Sequence, residues 1–250
     1  MTLSDGSREF LLALADDEHM IGARHTSWIG LGPFLEEDLA FCSIAQDELG
    51  HAIALYEFLL DDEGRPVDDL DGFALMRDPG DYRSCELAEI ECSDWNDSLV
   101  RHWLYDRAES LRWEALRGSS VERIGVIADR ALREESFHRA HAEQFMSRIA
   151  PDRPEQILDS ISRLLPIARS VWTPTAGESD ALAAGVTTAS SAQLAESWEL
   201  AIRGDLATWG LEVDWPPPTG SSDRSLRSSG FDELLADLRR VIVLDEAAVW

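Results

Sequence analysis

The sequence predicts an all-α protein: four long helices bundled within residues 1–150, with a helical C-terminal extension, residues 151–250, packed on them. Three observations carry this expectation. Apolar residues recur at helical spacing through four long segments. Glycine and proline clusters fall at the ends of those segments. Strand signals are nearly absent, and no internal repeat is evident beyond one paired motif described below.

Helix 1 is expected from about residue 6 to 28, where Phe10, Leu11, Leu14, Met20 and Ile21 share helical spacing. Gly30-Leu31-Gly32-Pro33 ends it. Helix 2 follows from about 35 to 60, with Leu39, Cys42, Ile44, Ala45, Ile53 and Leu55 as expected core positions. The acidic stretch from Asp61 to Tyr82 reads as a long connection too polar to pack. Helix 3 covers about 95 to 117 through Leu99, Trp103, Leu104, Leu111 and Trp113, and Gly118-Ser119-Ser120 stops it. Helix 4 runs on to about 149, ended by Pro151. Weaker helical patterns occupy about 154–170, 190–206 and 230–243. Trp215-Pro216-Pro217-Pro218-Thr219-Gly220 cannot be helix interior, and a flexible Ser-rich segment, Gly220 to Ser229, precedes the last helix.

Charge narrows the function. The chain holds 48 acidic residues against 22 basic ones, a formal charge of -26, and every basic residue is Arg. Such a field repels nucleic acid and anionic membranes, so both are discounted as partners. A surface adapted to high salt has this composition, because screening relieves the self-repulsion. Three cysteines without CxxC spacing (Cys42, Cys85 and Cys92) indicate neither a disulfide framework nor a zinc site, and Cys42 reads as a buried small hydrophobe. The N-terminus lacks the basic region of a signal peptide and no apolar run approaches spanning length, so a soluble cytoplasmic protein is expected.

The most informative residues are two copies of Glu-x-x-His, in Asp47-Glu48-Leu49-Gly50-His51 and Glu134-Glu135-Ser136-Phe137-His138. Spacing of i, i+3 sets a carboxylate and an imidazole on one helix face, one turn apart. Two such helices, with one carboxylate from each of two more, make the ligand set of a bundle-held di-iron or di-manganese site. That pattern belongs to ferritin-like four-helix bundles, in which a long connection between helices 2 and 3 is also expected. Helix 1 offers Asp16, Asp17 and Glu18, of which Glu18 shares a face with Leu11, Leu14 and Ile21. Helix 3 offers Asp106, on the face of Trp103 and Trp113, and Glu109, among the polar Arg107 and Arg112. His141 reads as a residue behind the ligands or at the surface, His19 and His25 as structural, and Trp28, Trp103 and Trp113 as core.

Pro33-Phe34-Leu35-Glu36-Glu37-Asp38-Leu39-Ala40 through His51, Trp103-Leu104-Tyr105-Asp106, and Arg133-Glu134-Glu135-Ser136-Phe137-His138 resemble the ferritin-like subunits of the multicomponent phenylacetyl-CoA epoxidase. The spacings from Pro33 to His51 and from Asp106 to His138 are similar to its catalytic A subunit. The final helix, Leu234 to Arg240, and the ending Glu246-Ala247-Ala248-Val249-Trp250 are similar to its C subunit, usually a structural partner that has lost some ligands. The resemblance implies Glu18, Glu48, His51, Asp106, Glu135 and His138 as ligands of two iron ions, and so favours Asp106 over Glu109. Manganese suits the same donors.

The resemblance further implies an O2-dependent monooxygenase that epoxidises the ring of an aromatic acyl-CoA. Electrons would come from a separate flavin and iron–sulfur reductase, and a second ferritin-like subunit would be a partner. The anionic CoA would meet positive groups on that subunit or at Arg130 and Arg133. Two alternatives stand beside this reading: a non-catalytic structural subunit, and an iron-storage or peroxide-handling protein.

Overall fold

The structure is a computed structural model that describes residues 2–215, 217 and 223–244. Among these residues it is helical throughout, with no strand. Four long helices dominate: α1 (Asp5–Thr26), α2 (Leu35–Asp62), α5 (Trp95–Arg117) and α6 (Glu122–Asp152). Between α2 and α5 lie two short helices, α3 (Leu70–Leu75) and α4 (Glu86–Glu89). Four more follow α6: α7 (Pro154–Ala168), α8 (Glu178–Ala183), α9 (Ser191–Trp209) and α10 (Phe231–Leu238).

Local chemistry sets the helix ends. The Ser4 hydroxyl accepts from the Ser7 N–H at the start of α1, and the Asp94 carboxylate accepts from the Asp97 N–H at the start of α5. A reciprocal Ser190–Gln193 capping box opens α9, and Gly210, in the left-handed region at φ 70°, closes it. Pro151 lies inside the last turn of α6 rather than ending the helix before it. A proline removes one backbone donor, and the chain turns out of the helix only at Arg153.

Packing arranges the long helices as two pairs, α1 against α2 and α5 against α6, with α2 and α6 closing the bundle, consistent with a ferritin-like fold. The Leu3 N–H donates to the Asp62 carboxylate at 3.1 Å, tying the start of α1 to the end of α2. At mid-helix Gly22 lets α1 approach α2 closely, since a Cβ there would stand 3.1 Å from Glu48 Cβ and Leu49 Cγ. Helix α5 is buried nearly all round, because α7 and α9 pack on the side that the bundle leaves open. Leu99, Trp103, Leu104 and Trp113 are completely buried, whereas Trp28 sits half-buried, edge-on to Trp95.

Several expectations need correction. Leu39 and Ile53, expected in the core, are 64% and 45% exposed; they lie on the outer face of α2, with Leu31, Phe34 and Leu35 also exposed nearby. Cys42 is half-buried, while Cys85 and Cys92 are the buried thiols. The connection from Asp61 to Tyr82 does pack: Leu70, Phe73, Ala74 and Leu75 join an apolar cluster with Leu55, Tyr56 and Leu59 of α2. Its charged residues find partners far along the chain, as where Arg77 bonds Asp16 of α1 at 2.5 Å and 3.0 Å. The described part of the Ser-rich segment is likewise anchored. Arg224 is buried on Asp17, and Arg227 bonds Glu89 at 2.5 Å. Residues 220–222 and the ending Glu246 to Trp250 lie outside the described residues.

Candidate metal centre

Each long helix sends acid into the space it shares with the others: Glu18 from α1, Glu48 from α2, Asp106 and Glu109 from α5, and Glu135 from α6. All five are at most 1% exposed, and His51 and His138 stand among them. Ligand-type atoms converge in three overlapping groups, each with its atoms within 4.8 Å of one another: Glu18, Glu48, His51 and Glu109; Glu48, Glu135 and His138; Asp106, Glu109 and Glu135. Glu48 is common to the two histidine groups, and its oxygens lie 3.6 Å from the Nδ1 of both His51 and His138.

The two motifs support each other crosswise. His51 Nε2 lies 2.8 Å from the Glu134 carboxylate on α6, and His138 Nε2 lies 3.2 Å from the Asp47 carboxylate on α2. Each imidazole is therefore gripped from behind by the acid that precedes the other motif's glutamate, and Nδ1 is left facing the cluster. An outer carboxylate on the far ring nitrogen fixes the tautomer and orientation of a metal-binding histidine. Glu134 is 25% exposed and also accepts from Arg130 at 3.1 Å, so that arginine is engaged in holding the support.

Electrostatics marks the same place. Burial pushes the carboxyls of Glu18, Asp106 and Glu135 well above the usual range, with the charge of Glu109 adding to the effect on Glu18 and Glu135. Burial opposes the charged form of His51, but the carboxylates of Glu109, Glu134 and Glu18 outweigh it and raise the imidazole. Glu135 and Asp47 do the same for His138.

The residues fit a bound cation. Among the described residues, both oxygens of Glu48, Glu135 and Asp106, Oε2 of Glu109 and Nδ1 of His138 have no hydrogen-bond partner although all are buried. An unpaired buried carboxylate is costly unless a cation satisfies it. Asp16, Asp17 and Glu89, equally buried, are instead bonded by Arg77, by Arg112 and Arg224, and by Arg227. Carboxylate oxygens and imidazoles suit iron and manganese alike.

The chain matches the family model for the phenylacetic acid catabolic protein across residues 4–250. It belongs to the phenylacetic acid catabolic protein family. No curated protein matches it. The model takes A-type and C-type subunits together, so membership does not divide them. Among the described residues of this family member, no helix is long and apolar enough to cross a membrane.

The structure brings all six residues implied by the resemblance into the cluster, and adds a seventh, Glu109. Arg107 and Arg112, the polar neighbours of Glu109 in sequence, are themselves 18% and 10% exposed and pair with Asp205 and Asp17. Glu109 is fully buried, accepts from Trp113 Nε1 at 3.0 Å and joins two of the three groups. Asp47 and Glu134 went unassigned in the sequence, although the acid before each Glu-x-x-His was there to be read. His141 stands behind the cluster, between His102 at 3.3 Å and Glu37 at 2.9 Å. His25 stacks on Phe41, and His19 Nδ1 lies 3.4 Å from the Tyr56 hydroxyl.

Proposed function

We propose that this chain holds two iron ions within its bundle and serves as the oxygen-activating component of a multicomponent monooxygenase that epoxidises an aromatic acyl-CoA in phenylacetate catabolism. The observation that carries the reading is the convergence of both Glu-x-x-His motifs on buried carboxylates, three of which, Glu48, Asp106 and Glu135, accept no hydrogen bond among the described residues. Glu18, Glu48, His51, Asp106 or Glu109, Glu135 and His138 would hold the metals. When bound, two irons supply the reduction of O2 and the transfer of one of its atoms to the substrate.

The protein's own groups do the rest. Glu48, reaching both histidine groups, would serve both metal positions. His51 and His138 present Nδ1 because Glu134 and Asp47 hold Nε2. Tyr105 and Arg112 hold Glu18 in place, donating to Oε1 at 3.2 Å and 3.3 Å. Burial of the whole set keeps bulk water away from the reacting centre. Electrons would come from a separate flavin and iron–sulfur reductase, and a second ferritin-like subunit would be the partner.

A non-catalytic structural subunit is favoured by one observation: both oxygens of Glu18 and both ring nitrogens of His51 already have partners without a metal. Metal content per purified chain, alone and coexpressed with a second ferritin-like subunit, separates the readings. About two irons per chain, lost in the Glu48→Ala, Glu135→Ala double variant, is the expected result. A stable partner complex without stoichiometric metal would overturn the catalytic reading and leave the structural one.

A further inference from the structure

The two sides of the cluster differ in what their donors are already doing. On the α6 side, the oxygens of Glu48, Glu135 and Asp106 accept no hydrogen bond among the described residues, and only imidazoles stand near them: His138 Nδ1 is 3.1 Å from Glu135 and 3.6 Å from Glu48, and His102 Nδ1 is 3.0 Å from Asp106. On the α1 side, both oxygens of Glu18 are engaged. Oε1 accepts from the Tyr105 hydroxyl and Arg112 Nη2, and Oε2 lies 3.3 Å from His51 Nδ1. Glu109 Oε1 accepts from Trp113. Arg112 is pinned in turn by Asp17 at 2.5 Å through Nη1 and by the Tyr105 hydroxyl at 2.8 Å through Nη2.

A cation on the α6 side meets acids whose nearest partners are imidazoles, with no guanidinium or hydroxyl donating to them. One on the α1 side must part Glu18 from His51 and share that carboxylate with a guanidinium. Losing one charge-assisted hydrogen bond corresponds to about ten-fold or more in an equilibrium constant. Repulsion from Arg112 acts in the same direction.

We infer that the two metal positions load unequally and in order: the α6 position, on Glu48, Glu135, His138 and Asp106, fills first, and Arg112 holds back the α1 position, on Glu18, Glu48, His51 and Glu109. The inference rests on the metal-centre reading above. Arg112 is a positioning residue here, acting through Glu18.

Titration of the metal-free full chain with Co2+, followed by visible absorption and calorimetry, tests this. Two steps are expected, the first about ten-fold or more tighter than the second. Glu18→Gln should weaken only the second step and Asp106→Asn chiefly the first; both are isosteric, and circular dichroism checks that each folds. Arg112→Gln should tighten the second step and narrow the gap. Because Arg112 also ties down Asp17, the two isosteric variants decide the matter should that variant not fold. Equal affinities, or loss of the tight step in Glu18→Gln, would overturn the inference while leaving a metal centre. Absence of any Co2+ binding would overturn the metal-centre reading and this inference with it.

Discussion

Replacing Glu134 with alanine probes the cross-support between the motifs. Glu134 touches no position where metal would sit; it bonds His51 Nε2 at 2.8 Å and Arg130 at 3.1 Å. Without it the imidazole loses the partner that sets its orientation, and metal affinity on the α1 side should fall about 10- to 100-fold. Stability should fall as well. The hydrogen bond from His51, against an opposing effect of burial, holds the Glu134 carboxyl at about 2 instead of its ordinary 4.5. Taken at face value that shift corresponds to about 3 kcal/mol. The side chain is 25% exposed and surface pairs are worth up to about 1 kcal/mol, so about 1–2 kcal/mol is expected for the metal-free chain at neutral pH. Because the folded value lies below the unfolded one, this stability is present above about pH 4.5 and disappears as pH falls toward 2. Urea unfolding of both proteins at pH 7 and near pH 3 measures the gap and its closure, and Co2+ titration measures affinity. Unchanged affinity in Glu134→Ala would refute the argument, since His51 would then not be presenting Nδ1 to a metal.

Three further outcomes are expected. Gly22→Val should destabilise the chain by about 1–3 kcal/mol in urea unfolding and lower its metal content, because the side chain would drive α2 away at Glu48 and Leu49. In native protein a thiol reagent should modify Cys42 alone within minutes, and all three cysteines in denaturant. Cys85 and Cys92 are buried, and burial pushes both thiols up. His141→Phe should make stability less sensitive to acid. Burial, with His102 adding to it, lowers the His141 imidazole from 6.5 to about 4, so between those pH values only the unfolded chain takes the proton. Wild type should lose up to about 3 kcal/mol more than the variant from pH 7 to pH 4, as read by unfolding at each pH.

The four long helices and the convergence of the two Glu-x-x-His motifs were legible because their signals are local: apolar spacing, breakers, and a carboxylate one turn before a histidine. What escaped was set by contacts between distant residues. The stretch from Asp61 to Tyr82 reads as polar, yet its Arg77 bonds the buried Asp16 of α1. The segment around Arg224 reads as Ser-rich and loose, yet that guanidinium closes on Asp17, on a helix some 200 residues earlier. Glu109 was misjudged for the same reason. Neighbouring arginines are evidence of a wet helix face only if their own partners are surface groups; Arg112 turns instead to the buried Asp17 and Glu18, while Arg107 bridges the half-buried Asp205 and Glu143. Leu39 and Ile53 fail in the opposite sense: the apolar spacing of α2 runs past the width of the bundle and leaves a greasy outer face.

The buried acids can be sorted by what answers them, and the sorting does more than the motif alone. A bundle that buries Asp16, Asp17 and Glu89 must neutralise them, and it does so with Arg77 of the connection, Arg112 of α5, and Arg224 and Arg227 of the C-terminal segment. Those acids are structural: removing one partner of such a buried pair typically costs about 3–5 kcal/mol. Glu48, Asp106 and Glu135 are equally buried, and no arginine bonds them. Folding alone gives no reason to keep three carboxylates there, since apolar side chains of similar volume would pack at lower cost. Their retention beside two histidines gripped from behind is explained if a cation supplies the missing charge. Glu18 falls between the classes, held by Arg112 and yet turned to His51. It is the one cluster carboxylate with an arginine on it, and therefore the point at which the fold's internal salt bridges can influence how the centre fills.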